Sequence, residues 1–201
     1  MVIGACDRQG HQRKCGMLNA EYRPGRLFEH SAIQYRARSI LIGMPSPIGH
    51  ALGGIAAGWA IAPVKNARNA VLLAGAGAAA DLDLLVGTHR GPTHSLGAAV
   101  LMLVAVTLMT RNVRWGSAAA AAWASHVALD WLGTDTTPPI GEMALWPATR
   151  AYYESSLHLF PAISRRYWLA DFWMFNLRAV VVELAILGPI VWAVVAWRRK
   201  V

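Results

Sequence analysis

Apolar residues are concentrated in five stretches from residue 44 onward, separated by polar turns. The stretches cover about residues 47–63, 69–86, 94–110, 115–133 and 176–197. Each approaches the roughly 20 residues that a helix needs to cross a bilayer, with the first marginal in length. The pattern predicts an all-α fold, a polytopic transmembrane helical bundle of about five spans.

A polar-aromatic segment, residues 134–175, separates the fourth and fifth stretches. Its Tyr167, Trp168 and Trp173 are residue types that favour the membrane interface, so we expect an interfacial segment before the last span. Gly54 and Gly58 form a small-xxx-small pair in the first stretch, which favours close helix packing.

The composition agrees with a membrane protein, since 55% of the residues are hydrophobic and only 15% are charged. The formal net charge is +8, but the basic residues lie in the amino-terminal tail, in short loops and at the carboxyl end. This distribution is typical of a topology signal, and no nucleic-acid partner is expected. Residues 1–43 lack an apolar pattern and are predicted to be disordered, and their Cys6 and Cys15 give no disulfide framework.

Polar residues inside the apolar stretches are costly in lipid, so their positions are informative. If five spans alternate in direction, parity brings one set of these residues to a single membrane face. That set consists of His50, Asp81, Asp83, His89, Arg90, His94, His126 and Asp130. Glu183 lies apart and is expected to face a neighbouring helix or to pair with Arg178. The convergence predicts a functional site.

Imidazole and carboxylate groups without cysteine suit zinc, manganese or iron at a hydrolytic centre. His126 and Asp130 are four residues apart, so one helix face presents both. Asp81 and Asp83 are roughly 200° apart on an ideal helix. Either the helix has ended by Asp81, or one aspartate is a ligand while the other orients a histidine. The candidates exceed the needs of one tetrahedral ion, which leaves room for two metals or for a general base.

Four motifs carry a resemblance: MPSPIGHALGG, DLDLLVGTHRGPTHSL, ASHVALDWLGTDTTPPIG and ALWP. About residues 44–197 resemble a membrane-bound metal-dependent hydrolase family, whose members include a LexA-regulated inner-membrane protein. The resemblance implies that the histidines and aspartates of the predicted site are the metal and catalytic positions. It also implies a cell inner membrane location.

These observations together predict a membrane-embedded metal-dependent hydrolase with one or two divalent ions, zinc first and manganese or iron as alternatives. The expected metal ligands are His50, Asp83, His94, His126 and Asp130. Asp81 and His89 are expected to handle protons, and Arg90 to hold an anionic substrate group. Membrane lipids are the expected surroundings, and the substrate is expected to be lipid-like or otherwise amphiphilic, or a phosphoester.

Two other functions fit the same cluster. A transporter or channel could use it for metal ions or protons, although ligands confined to one face argue against a pathway. A non-catalytic membrane adaptor could use a metal for stability alone. A serine hydrolase is not expected, because no G-x-S-x-G pattern occurs.

The resemblance also implies a start at Met44, so residues 1–43 are either a mis-assigned extension or a tail that reverses the orientation. With the amino end of residue 44 outside, seven basic residues fall inside: Lys65, Arg68, Arg111, Arg114, Arg198, Arg199 and Lys200. The protein is then expected to be multi-pass, with its site on the extracytoplasmic face of the membrane. Residues 44–201 would form the hydrolase-like domain.

Overall fold

A computed structural model describes residues 44–85, 89–136, 138–164 and 166–200 of the chain. Its α-helices are α1 (Pro47–Ile61), α2 (Ala67–Ala78), α3 (Leu96–Thr110), α4 (Val113–Trp131) and α5 (Phe172–Lys200). A 3-10 helix, Ala79–Leu85, continues α2. Each predicted apolar stretch overlaps one of these α-helices, so the all-α class is confirmed for the described residues. Residues 1–43 lie outside them, and the predicted disorder there stays a prediction.

Short polar side chains start four of the helices. Ser46, Asn66, Ser95 and Asn112 each accept a hydrogen bond from a backbone N–H in the first turn of the helix that follows. Such caps satisfy one of the donors that a helix leaves free at its amino end. The sequence therefore marks where the first four apolar segments become helical.

Helix α1 packs against α2, α4 and α5 and lies at the centre of the bundle. Its closest approach is to α2, where Gly54 meets Gly77. A Cβ atom built on Gly54 would lie 2.8 Å from the Gly77 Cα, and one built on Gly77 would lie 2.5 Å from the His50 carbonyl oxygen. Since no side chain fits between them, these glycines let the two backbones touch.

Much of the outer surface of the helices is apolar. Val71, Leu108, Met109, Trp173 and Trp192 are each at least 70% exposed. Large exposed apolar surfaces are rare on soluble monomers and are typical of contact with lipid. The bundle is therefore built to present apolar side chains outward.

The number of membrane spans is not established by helix length. Among the described residues, α5 alone is both long and apolar enough to cross a membrane by itself, while α3 is apolar but has only 15 residues. At 1.5 Å per residue such a helix extends about 22 Å, short of the roughly 30 Å hydrocarbon layer. The bundle is helical, and the predicted five spans stay a prediction.

The segment between α4 and α5 covers one end of the bundle and forms no strand among its described residues. We call it the cover segment, residues 132–171. Backbone hydrogen bonds attach it to the start of α3, from Leu96 N to Ala144 O (2.9 Å) and from Gly97 N to Trp146 O (3.1 Å). Asn176 holds its far end through two hydrogen bonds with the backbone of Ser164. The cover segment thus closes the end where α3 begins and α4 ends.

Candidate metal centre

Five histidines and aspartates meet beneath the cover segment, brought there by different elements. His50 lies in the first turn of α1, Asp81 on the 3-10 helix and His94 just before α3. His126 and Asp130 lie one turn apart near the end of α4. We call this group the His/Asp cluster. The structure brings these residues to one end of the bundle, as the alternation of helix direction predicts.

The three imidazoles point their Nε2 atoms at the two carboxylates. Asp130 places Oδ1 3.3 Å from His50 Nε2, and its Oδ2 3.4 Å from the Nε2 atoms of His94 and His126. Asp81 places Oδ1 3.6 Å from the same atoms of His94 and His126, and Oδ2 4.0 Å from that of His50. The five side chains form two overlapping groups whose donor atoms lie within 4.8 Å of one another, His50 with His126 and Asp130, and Asp81 with His94 and His126.

These inner donors are buried and lack hydrogen-bond partners among the described residues. This holds for Nε2 of His50, His94 and His126, for both oxygens of Asp130 and for Oδ1 of Asp81. Buried polar atoms are nearly always hydrogen-bonded, so a group of unpaired donors requires an explanation. Imidazole nitrogens together with carboxylate oxygens match the preferences of zinc, manganese and iron. The donor set therefore fits a divalent cation.

The outer nitrogens of two histidines are fixed by hydrogen bonds. His126 Nδ1 lies 2.7 Å from the Gly77 carbonyl oxygen. Because a carbonyl only accepts, Nδ1 must carry the hydrogen and Nε2 keeps a lone pair facing inward. His94 Nδ1 lies 3.1 Å from Asp83 Oδ2. Contacts of this kind commonly orient the histidines of metal sites.

Asp81 and Asp83 occupy different surroundings. In a 3-10 helix residues two apart point roughly 240° from each other, which separates these two carboxylates. Asp81 faces the inner Nε2 atoms, whereas Asp83 contacts His89 Nδ1 at 2.8 Å and accepts a 2.6 Å hydrogen bond from Thr93 Oγ1. Asp83, His89 and His94 also form a group with donors close enough to hold an ion. Both arrangements left open by the sequence occur: the α-helix has ended before Asp81, and one carboxylate faces inward while the other lies behind a histidine.

His89 lies at the edge of the cluster. Its ring packs edge-on against His94, with the centroids 4.7 Å apart, and its Nε2 has no hydrogen-bond partner among the described residues. Burial lowers the pKa of the His89 imidazole below its ordinary value. A neutral ring held by Asp83 at one nitrogen keeps the other free to accept a proton.

Arg90 is buried and forms an ion pair with Asp135 in the cover segment. Its carbonyl oxygen accepts a hydrogen bond from Met143 N (3.2 Å), and Gly141 N donates to the same Asp135 carboxylate (2.8 Å). Arg90 therefore joins the cover segment to the turn before α3. Its predicted role in holding an anionic substrate stays a prediction.

Two buried glutamates near the cluster are absent from the site predicted by the sequence. Glu183 of α5 accepts hydrogen bonds from the backbone N–H of Ser46 (2.5 Å) and from its hydroxyl, so it faces the amino end of α1 and not Arg178. Glu142 of the cover segment is 1% exposed, and neither side-chain oxygen has a partner among the described residues. Burial raises the pKa of the Glu142 carboxyl to about 9, with the nearby charge of Asp130 adding to the effect. The sequence could have indicated Glu183, because it is a lone acid in an apolar stretch. Glu142 lies among other polar residues, so no sequence pattern distinguishes it.

Comparison with known families adds one finding. The sequence model of the YdjM inner membrane protein family matches residues 44–201, which include every residue of the His/Asp cluster. The chain belongs to the YdjM inner membrane protein family. No curated protein and no solved structure matches it. YdjM membership and the apolar helix α5 indicate an inner-membrane protein, as predicted, whereas hydrolysis stays a prediction because the family name states no reaction.

Proposed function

We propose that this protein is a membrane-embedded metal-dependent hydrolase with its reaction centre at the His/Asp cluster. The observation that carries the proposal is the set of three inward Nε2 atoms facing two carboxylates, buried and without other partners. His50, His94, His126 and Asp130 are the proposed ligands, as the sequence predicts. Asp81 takes the place there that the sequence prediction gave to Asp83. Zinc is the first choice of ion, with manganese and iron as alternatives.

The arrangement favours catalysis because one donor remains reachable from outside. The Asp81 side chain is 14% exposed, compared with 1% for Asp130. Five donors also exceed the four of a closed tetrahedral site. Asp81 is therefore placed to alternate between holding the ion and taking a proton from an attacking water.

A divalent ion bound here would bring the pKa of a coordinated water towards neutrality and polarise the bond to be hydrolysed. The chain itself supplies the proton acceptors. Asp81 receives the water proton, and His89, held at Nδ1 by Asp83, offers a second acceptor at Nε2. The buried walls of the cluster limit bulk water, which strengthens these electrostatic interactions.

We further propose that all five helices lie in the membrane as about five spans, with the His/Asp cluster on the extracytoplasmic face. The support is the outward apolar surface and the separation of charge. The basic residues of the loops after α1 and α3 and at the end of α5 lie at the opposite end from the cluster. A centre at the membrane surface, under a cover segment with exposed Tyr167 and Trp168 and beside the exposed Trp173 of α5, suits a lipid-like or phosphoester substrate.

Metal content tests the proposal directly. Full-length protein purified in detergent should contain stoichiometric zinc, manganese or iron by elemental analysis, and His94→Ala and Asp130→Ala should remove it. His158→Ala is the matched control, because His158 is exposed and distant from the cluster in the chain. No metal in the wild type, even after reloading with each ion, would overturn the proposal.

Turnover separates an enzyme from an adaptor with a structural metal. Metal-loaded protein in vesicles should hydrolyse a member of a panel of carboxylic-ester and phosphoester lipids. Asp81→Asn should lower the rate while the folded protein keeps its metal through the remaining ligands. Stoichiometric metal without turnover on any panel member would reject the hydrolase and favour the adaptor.

A further inference from the structure

An apolar groove runs beside the His/Asp cluster, between α3, α4 and the cover segment. It has a volume of about 310 Å³ and is lined mainly by Leu96, Val127, Trp131, Leu145 and Tyr153. This volume lies at the lower end of the roughly 300–1,000 Å³ typical of small-molecule sites. The sequence patterns do not indicate this groove, because it depends on where the cover segment crosses the helices.

The groove lies on the face of α4 next to the one that carries the cluster, since consecutive residues are turned about 100° on an α-helix. It shares no lining residue with the cluster. Val127 and Trp131 directly follow His126 and Asp130 on α4, and Leu96 lies two residues after His94. The groove also includes Ala124 and Ala128, so it extends over two turns, about 10 Å along α4. A molecule lying in it would pass alongside the part of α4 that carries His126 and Asp130.

Glu142 carries the only carboxyl group among the residues lining the groove. The backbone on either side of it is fixed, since Glu142 pairs with Tyr153 and the next residue, Met143, bonds to Arg90. Its two carboxyl oxygens are buried and have no partner among the described residues. The groove thus combines an apolar wall with unsatisfied hydrogen-bonding capacity at Glu142, whose carboxyl is close enough to Asp130 and His94 of the cluster to interact with their charges.

An apolar stripe continues from the rim of the groove along α3. Leu96, Val100, Val104 and Leu108 recur every four residues and are each about half exposed or more. Residues at this spacing lie on one face of a helix. An alkyl chain leaving the groove would therefore stay in contact with apolar side chains, as it does in a bilayer.

We propose that this groove binds one acyl chain of a lipid substrate, with Glu142 hydrogen-bonding the polar linkage presented to the His/Asp cluster. The inference rests on the hydrolase function proposed above and adds the site of the substrate chain. An apolar groove that ends at an unpartnered carboxyl complements an amphiphile: apolar along its length and hydrogen-bonding at one end. The opening towards the lipid-facing stripe selects a membrane lipid as its source.

Photolabelling tests the groove without requiring turnover. The full-length protein would be placed in phosphatidylethanolamine and phosphatidylglycerol vesicles that contain phosphatidylethanolamine with a diazirine on one acyl chain. After illumination, peptide mass spectrometry should locate the label on Trp131, Leu145 and Tyr153. Ala128→Phe should lower this labelling about tenfold, because the added ring displaces methylene groups from the groove.

Ala105→Phe is the matched control, since it adds the same ring at an exposed position of α3 outside the groove. It should leave the labelling unchanged. Label spread evenly over the apolar surface, or equal in wild type and Ala128→Phe, would overturn the proposal. Metal content measured on the same samples distinguishes the hydrolase proposal from the acyl-chain proposal. Label confined to the groove on protein that cannot bind metal would reject the hydrolase and support the acyl-chain site.

Discussion

At the scale of single residues, Asp81 and Asp83 differ in what their oxygens touch. Asp81 Oδ1 is buried among imidazole Nε2 atoms without a hydrogen-bond partner in the described chain. Both oxygens of Asp83 are engaged, Oδ1 by His89 and Oδ2 by Thr93 and His94. A carboxylate that is already hydrogen-bonded serves to hold a ligand in place more readily than to become one.

Substitution of these carboxylates should therefore have unequal effects. Asp83→Ala should weaken metal affinity about 10–100-fold, since it frees the His94 ring, yet the metal should bind fully at saturation. Asp130→Ala should abolish stoichiometric binding. Titration against a competing chelator measures both. Complete loss of metal binding in Asp83→Ala, even at saturating metal, would restore the assignment of Asp83 as a ligand made from the sequence.

Sequence alone identifies the residue types of the cluster, because His and Asp are conspicuous in apolar stretches. It predicts Asp83 as a metal ligand and Asp81 as a proton acceptor, whereas Asp81 is the one that faces the imidazole Nε2 atoms. Which aspartate faces inward depends on the change from α-helix to 3-10 helix at Ala79, which rotates the following side chains. The burial of Glu142 could not be predicted for another reason, because it results from the path of the cover segment and not from any local sequence pattern.

At the scale of helices, the crossing of α1 and α2 sets the spacing of the cluster. Gly77 touches the His50 carbonyl through its backbone, and its own carbonyl accepts the bond from His126. Asp81 follows one turn later. A larger separation between α1 and α2 would move His50, Asp81 and His126 relative to one another.

Gly77→Ala should therefore disturb both stability and metal binding. The added methyl would clash with backbone atoms, and overpacking of this kind lowers the free energy of unfolding by about 1–3 kcal/mol. Gly75→Ala is the control on the same helix, because nothing lies within 4 Å of a Cβ there. Thermal unfolding in detergent compares the two. Equal stability and metal affinity in both variants would contradict the role given to the crossing.

The helices themselves are largely predictable, since apolar stretches and capping residues are both local signals. The α-helices lie within a few residues of their predicted limits, except that α2 ends at Ala78, where the 3-10 helix replaces it. The small-xxx-small pair is likewise visible in advance, whereas its partner Gly77 is identified only by the crossing. The cover segment has no periodicity, so its attachment to the start of α3 could not be inferred.

At the scale of the whole molecule, the two ends of the bundle differ in charge. The end opposite the cluster is basic, and Arg198 donates from Nη2 to the Ala62 carbonyl (2.7 Å) while Lys65 reaches the Arg198 carbonyl. These contacts place the end of α5 beside the end of α1. Since positive loops favour the cytoplasm, the cluster is proposed to face outward.

Cysteine labelling in intact cells tests that orientation. In a background with Cys6→Ser and Cys15→Ser, Ala151→Cys in the exposed cover segment should react with a membrane-impermeant maleimide. Val64→Cys, exposed between α1 and α2, should react only after lysis. The reverse result would place the cluster in the cytoplasm, as expected if the basic residues of 1–43 set the orientation.

The alternating direction of the spans predicts that the polar site residues meet at one end of the bundle, and the described helices bring them together there. Parity does not give the lengths of the helices, because a short helix can satisfy the same alternation as a full span. α1 to α4 have 12 to 19 residues, against 29 in α5. The number of crossings is therefore decided by experiment and not by the apolar pattern.

The hydrogen bonds from Ser46 to Glu183 have a consequence for the order in which the protein is made. A ribosome delivers α1 first and α5 last, so the acceptor for the amino end of α1 emerges after every residue of the His/Asp cluster has been synthesised. Until then the first turn of α1, which carries His50, lacks the carboxylate that favours its positive end. Assembly of the centre should thus be the final event of biogenesis, and nascent chains stalled before Glu183 should reach the membrane without capturing an ion.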